Sequence, residues 1–132
     1  MESPARQELP ADQTRSVTPP QEILNIPCAL KRLNGSQNLL KDMAVMYLED
    51  VPALFQELKR AIDAGDLEEV TRTAHSISGL SATFEAIPCC SAAKALEASG
   101  RQKQTDAFAR QLADLDFEIQ RLIKALEESV LI

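Results

Sequence analysis

In every patterned segment of the chain, apolar residues recur three or four positions apart. That spacing is the period of one face of a helix, whereas a half-buried strand alternates apolar and polar residues with a period of two. Between residues 36 and 64 the recurring apolar positions are Leu40, Met43, Tyr47, Val51, Leu54, Leu58 and Ile62. No segment shows the alternation of a strand. The pattern therefore predicts helices that each bury one side against a shared core.

Two helices are predicted in the first half of the patterned region. A short one runs over residues 27–33 and ends at Asn34-Gly35, and a long one runs over residues 36–64. Pro52 lies inside the long segment, where a proline removes a hydrogen bond and clashes with the preceding turn. We therefore expect a kink at the proline, or a second helix that begins near Asp50.

Three further helices follow. Asp66 caps the first of them, and Glu69 is expected to reach back as in a capping box. Pro88 suits the first turn of the next helix, which is predicted to end at Gly100. Thr105 is expected to cap the last helix. Four long amphipathic helices joined by short turns predict an all-α, up-down-up-down antiparallel four-helix bundle, with the short helix added at the N-terminus.

Composition and charge limit the class of function. Residues 1–22 are rich in proline and lack a hydrophobic period, so they predict a disordered linker before a bundle domain at residues 23–132. The net charge of −6 and the lack of a basic stripe argue against nucleic-acid binding. No apolar run approaches the roughly 18–20 residues of a membrane span, and the N-terminus lacks the apolar region of a signal peptide. We expect a cytoplasmic protein without membrane contact.

The three cysteines, Cys28, Cys89 and Cys90, do not form a disulfide framework, because their number is odd and two are adjacent. A zinc site that combines His75 with the adjacent pair is the alternative, but no C-x-x-C spacing supports it. We expect buried thiols that act as small apolar side chains, and no metal site.

His75 is the only histidine of the chain, and it lies in the middle of a predicted helix. Gly79 follows four residues later, which places it one turn away on the same face. Glycine inside a helix costs roughly 0.5–1 kcal/mol relative to alanine, so Gly79 needs a physical reason. One reason is clearance, because a bare backbone lets another protein or a phosphoryl group approach the imidazole. The alternative is a surface histidine beside a glycine that eases helix packing.

The motif around this histidine resembles that of histidine-containing phosphotransfer (Hpt) domains of multistep bacterial phosphorelays. The resemblance covers about residues 23–131. It is carried by Ala74-His75-x-Ile77-x-Gly79, by Tyr47-Leu48-Glu49-Asp50-Val51-Pro52, by Gly65-Asp66 and by Leu96-Glu97. It implies that His75 is the phosphoacceptor and Gly79 the clearance residue. It also suggests that the parent chain is a hybrid sensor histidine kinase.

The chain departs from the family pattern at two positions. The lysine or arginine that the family carries three residues after the histidine is replaced by Ser78, and a glycine near the helix end is replaced by Glu85. The missing cation normally lies beside the phosphoryl group. Ser78 can still donate a hydrogen bond, and Arg72 and Arg101 are candidates to supply the charge.

The resemblance implies a carrier rather than an enzyme with autokinase activity, since the chain has no Walker A motif and no glycine-rich loop. Nε2 of His75 would take the phosphoryl group from a receiver-domain aspartate and pass it to another receiver. The Mg²⁺ ion would belong to the receiver, and the carrier would be a monomer without a cofactor. Leu80, Leu39 and Met46 are candidates for receiver docking.

Two alternatives stay open at this point. The first is a degenerate Hpt-like module that binds receivers without carrying phosphate, which the Ser78 departure favours. The second is a structural helical bundle with an incidental histidine. Exposure of the imidazole distinguishes the second alternative from a carrier, and phosphate uptake distinguishes the first.

Overall fold

A computed structural model of the chain describes residues 23–131. Its helices are α1 (Ile26–Arg32), α2 (Gln37–Ala64), α3 (Leu67–Ala82), α4 (Ile87–Gln102) and α5 (Phe108–Ser129), with a 3₁₀ turn at Thr105–Ala107. The described range contains no strand. The predicted linker at residues 1–22 lies outside it. None of the helices within it is long and apolar enough to cross a membrane.

The four long helices form a closed bundle. Each packs against the next in the chain, α5 also contacts α2, and α1 packs against α2. Short turns reverse the chain between successive helices, so neighbours are antiparallel. The predicted all-α bundle with a short N-terminal helix is confirmed.

The core lies where the apolar stripes of α2, α3, α4 and α5 meet. Its largest fully buried apolar side chains include Leu58, Ile77, Leu96, Leu115 and Leu122. Burying a side chain of this size stabilises the fold by about 1.5–3 kcal/mol. The core therefore holds α3 and α4 rigidly beside each other, and these are the helices that carry His75 and its neighbours.

A buried polar cluster joins α2, α3 and α4 at one end of the bundle. The Tyr47 hydroxyl lies 2.8 Å from Ser81 Oγ, and Ser81 Oγ donates to Cys89 Sγ at 3.3 Å. The Tyr47 ring packs edge-on against Phe84, with 5.7 Å between ring centroids. Burial raises the pKa of Tyr47, so its hydroxyl keeps its proton and the cluster stays neutral.

The capping residues of α2 and α3 lie where the sequence predicts them, but two details of the prediction are wrong. α2 is one continuous helix, so a second helix near Asp50 is wrong. Pro52 is exposed there, and water can satisfy the carbonyl that the missing N–H leaves free. Asp66 caps α3 by accepting from Glu69 N–H at 3.1 Å. Glu69 does not complete a capping box, because its carboxylate binds Arg72 and Asp66 N–H donates to Ala61.

The ends of α4 and α5 differ from the prediction. α4 contains Pro88 in its first turn, as predicted, but it continues past Gly100 to Gln102. Lys103, with a φ of 62°, makes the left-handed turn that ends it. Thr105 begins the 3₁₀ turn and does not cap α5, whose N-cap is Ala107 without a side-chain hydrogen bond.

Candidate functional site

His75 lies on α3 beside the buried stripe rather than within it. Ala74 and Ile77 of the same helix are fully buried, and a step of one residue turns the next side chain by about 100°. The His75 side chain is 74% exposed. A rigid helix therefore presents an imidazole that a macromolecular partner can reach.

One nitrogen of this imidazole is held by the neighbouring helix. Nδ1 of His75 lies 3.0 Å from Oε2 of Glu97 on α4. The Arg101 guanidinium donates to the same oxygen at 2.9 Å. Glu97 is only 13% exposed, so its carboxylate is fixed between the two partners. Imidazole and guanidinium are consequently held side by side at the surface.

The charge of Glu97 decides which nitrogen of His75 carries the proton. Burial raises the pKa of Glu97, but the hydrogen bonds from Arg101 and His75 outweigh it, and the pKa lies below its ordinary value. The side chain is therefore an ionised carboxylate at neutral pH, which only accepts hydrogen bonds. Nδ1 must then carry the hydrogen and donate it. In the neutral ring this leaves the lone pair on Nε2, the nitrogen that Glu97 does not contact.

Gly79 lies one turn further along α3 and leaves open space beside the imidazole. A Cβ atom built at Gly79 would meet nothing within 4 Å. The glycine is thus not required by packing inside the bundle. The clearance role toward an approaching partner stays a prediction from the motif.

The remaining residues predicted near the phosphoryl group have different surroundings. Ser78 is 5% exposed, and its backbone carbonyl accepts from Cys90 Sγ at 3.4 Å, so this position lies between α3 and α4 rather than on the open surface. Arg72 is exposed one turn before His75 and forms an ion pair with Glu69. Arg101 is the predicted cation that the structure joins to His75, through Glu97.

Apolar side chains are exposed on the helices that flank α3. Of the residues predicted to dock a receiver, Leu39 and Met46 are exposed on α2 and Leu80 is partly buried on α3. The sequence prediction missed Ile87, which is 60% exposed at the start of α4. Ile87 belongs to no sequence motif, and its exposure depends on how the turn between α3 and α4 places the first residue of α4.

The cysteines take no part in this site. Cys89 and Cys90 are buried, as expected, but Cys28 is exposed, so the expectation of three buried thiols is wrong for Cys28, which lies on the outer side of α1. Among residues 23–131, no group of three or more ligating side chains is placed to hold a metal ion.

Comparison with known proteins adds one match. The family model of the Hpt domain matches residues 42–129, from the first turns of α2 to the end of α5. The chain belongs to the Hpt domain family. Hpt domains are histidine phosphotransfer carriers of phosphorelays, and they interact with receiver domains of response regulators. No curated protein and no solved structure matched the chain.

Glu97 is part of the sequence pattern that resembles the family, but the sequence predicted no role for it. The residue lies 22 positions after His75, so no local spacing connects the two. The signal that could have found it is an acidic residue at the solvent edge of α4, in a bundle where α4 is the neighbour of the histidine helix.

Proposed function

We propose that this Hpt domain accepts a phosphoryl group on Nε2 of His75 from the phosphoaspartate of one receiver domain and passes it to an aspartate of another. The observation that carries the proposal is the exposed imidazole whose Nδ1 is held at 3.0 Å by the Glu97 carboxylate. An incidental surface histidine needs neither a carboxylate that holds Nδ1 nor the cleared space at Gly79.

In the proposed transfer, the Nε2 lone pair attacks phosphorus and the bond from phosphorus to the aspartate oxygen breaks. The receiver carboxylate leaves with the electron pair of that bond. The ring then carries hydrogen on Nδ1 and the phosphoryl group on Nε2, so it bears a positive charge. Glu97 balances this charge, which lowers the energy of the product and of the transition state leading to it. Onward transfer reverses the same steps toward a second aspartate.

The phosphoryl oxygens also need positive charge nearby. Arg101 is the leading candidate on this chain, because its bond to Glu97 uses one nitrogen of a group with five N–H donors. Arg72 is the second candidate, from the preceding turn of α3. The receiver's own Mg²⁺ and lysine would supply the rest, so the carrier itself needs no cofactor. Leu80, Leu39 and Met46 would form apolar contacts with the receiver.

The proposal includes no autokinase activity, since the sequence carries no Walker A motif or glycine-rich loop. A monomeric carrier in the bacterial cytoplasm, with ATP-driven phosphorylation supplied by a hybrid sensor kinase, is the setting that fits such a domain. The second candidate function is receiver binding without transfer. It is favoured by one observation, the buried Ser78 at the turn where other members carry a cation.

The test is incubation with a receiver domain labelled on its aspartate. The expected result is base-stable, acid-labile label on the parent chain and none on His75→Gln, which keeps an amide but lacks the nucleophilic ring. Circular dichroism should show equal helicity for both proteins. Label retained on His75→Gln would refute the assigned nucleophile. A parent chain that binds receivers but takes up no label would establish the second candidate instead.

A further inference from the structure

Gly100 of α4 lies in close contact with α3. The residue is buried in the helix interior. A Cβ atom built on it would lie 2.6 Å from Thr71 Oγ1 and 3.3 Å from both Thr71 N and Val70 Cγ1. Gly79 differs in this respect, since its added Cβ meets nothing. Gly100 therefore allows α3 and α4 to pack closely at this point, and any larger residue there would push the two helices apart.

The surroundings of Thr71 leave little room for adjustment. Its Oγ1 donates to the carbonyl of Leu67 at 2.9 Å within its own helix. Turning the hydroxyl away would break this hydrogen bond, and in one of the two other rotamers Cγ2 would take its position. The Thr71 nitrogen belongs to the backbone of α3 and moves only with the helix. A side chain at Gly100 would consequently separate the two helices rather than displace one flexible group.

This contact lies next to the hydrogen bond that sets the proton on His75. Glu97 precedes Gly100 by three residues, and His75 follows Thr71 by four, so on antiparallel helices the two pairs occupy neighbouring turns. The distance from Nδ1 to Oε2 is 3.0 Å, and a side-chain contact near 3.6 Å is no longer a hydrogen bond. Arg101 competes for the same oxygen with a full charge. A small separation of the helices would break the hydrogen bond between His75 and Glu97 and leave Glu97 bound to Arg101 alone.

We infer that Gly100 is a positioning residue, which sets the separation of α3 and α4 so that Glu97 holds the proton of His75 on Nδ1. The inference rests on the proposed function for its biological meaning, because a free Nε2 lone pair matters only to a carrier. Its physical content, the tautomer of one imidazole, is independent of any receiver.

The test uses nitrogen NMR of the imidazole at about pH 9, well above the reference histidine pKa of about 6.5. His75 is the only histidine, so the spectrum contains a single ring. The parent should show hydrogen on Nδ1 and a bare Nε2. In Gly100→Ala the populations should shift toward hydrogen on Nε2, the form that predominates in free neutral histidine. Gly79→Ala, the matched control, adds the same methyl group to a helix without a contact and should keep the parent spectrum.

The double variant Gly100→Ala/Thr71→Ala identifies the contact responsible. It removes the 2.6 Å clash but keeps the Thr71 N and Val70 contacts at 3.3 Å, so its spectrum should lie between those of the parent and Gly100→Ala. A folded Gly100→Ala with the parent tautomer overturns the inference, and so does a double variant without recovery. If Gly100→Ala does not fold, the double variant decides. Tautomer populations between those of the parent and of free histidine support the inference, and the populations of the parent overturn it.

Phosphoryl uptake separates this inference from the proposed function. If the parent accepts label from a receiver, Gly100→Ala should slow uptake by about ten- to a hundredfold, the cost of a small misplacement at a reacting group. If the parent never accepts label, the proposed function fails while the NMR result still decides the role of Gly100.

Discussion

Replacing Glu97 by glutamine removes the charge beside His75 while it preserves the shape of the side chain and one carbonyl acceptor. Nδ1 can still donate to that carbonyl, so the imidazole keeps a partner. The positive ring formed during phosphoryl uptake loses its counter-charge. We therefore expect Glu97→Gln to slow transfer without unfolding the bundle.

The magnitude follows from the distance and the exposure of the pair. Two unit charges at 4 Å interact by about 1 kcal/mol in water and about 4 kcal/mol at an effective dielectric constant of 20. Glu97 Oε2 lies closer, at 3.0 Å from Nδ1, but the imidazole is 74% exposed and strongly screened by water. A loss of about 1–2 kcal/mol is the reasonable range, which corresponds to a decrease of about 5- to 30-fold in rate.

The assay is the rate at which label moves from a phosphorylated receiver to the chain under single-turnover conditions. Glu128→Gln is the matched control, because it makes the same change of net charge at an exposed position on α5, a helix that packs mainly against α4 and α2. The control should transfer at the parent rate. If Glu97→Gln also does, the charge of Glu97 does not stabilise the positively charged ring, and that part of the proposed mechanism is wrong.

Three further predictions concern the same surface. Gly79→Leu should slow transfer from the receiver while thermal stability stays the same or rises by up to about 1 kcal/mol, and an unchanged rate would make Gly79 a packing residue only. Arg101→Ala should shorten the lifetime of phosphohistidine more than Arg72→Ala does, because Arg101 is joined to His75 through Glu97; equal lifetimes in both variants and the parent would leave all charge neutralisation to the receiver. Since the pKa of Glu97 lies below its ordinary value of 4.5 in the folded chain, its ionisation stabilises the fold above that pH, and the advantage is lost as the pH falls through the folded pKa. Denaturant unfolding of the parent and of Glu97→Gln between pH 7 and pH 3 should show the parent losing stability relative to the variant, and parallel curves would contradict the lowered pKa.

The fold was largely predictable because each helix carries its own apolar period and its own end signals. Gly65 ends α2 with a φ of 73° and Ser36 caps its start, and both follow from local chemistry. The errors arose where tertiary packing overrode a local signal. Gly100 resembles a helix terminator in the sequence, but α4 continues past it to Gln102, and Thr71 of α3 occupies the space that a side chain at Gly100 would fill.

The site was predictable only in part, for the same physical reason. His75 and Gly79 share one helix, so their relation follows from the helical period. The relation between His75 and Glu97 requires the packing of α3 against α4, which no local pattern contains. Ser78 is one turn from His75 in the sequence pattern, yet α4 covers it.

The short helix α1 determines where this domain can be cut. Asn25 N–H donates to the Phe84 carbonyl at 2.8 Å, and Arg32 donates to the Ala82 carbonyl at 2.9 Å and pairs with Glu85. These contacts satisfy the carbonyl of Ala82, the last residue of α3, and the carbonyl of Phe84 in the turn that follows the helix. A recombinant fragment that starts at residue 42, where the family match begins, would expose them to solvent. Expression boundaries for this domain therefore belong upstream of Leu24, a buried residue that precedes the first matched position by a full helix and a turn.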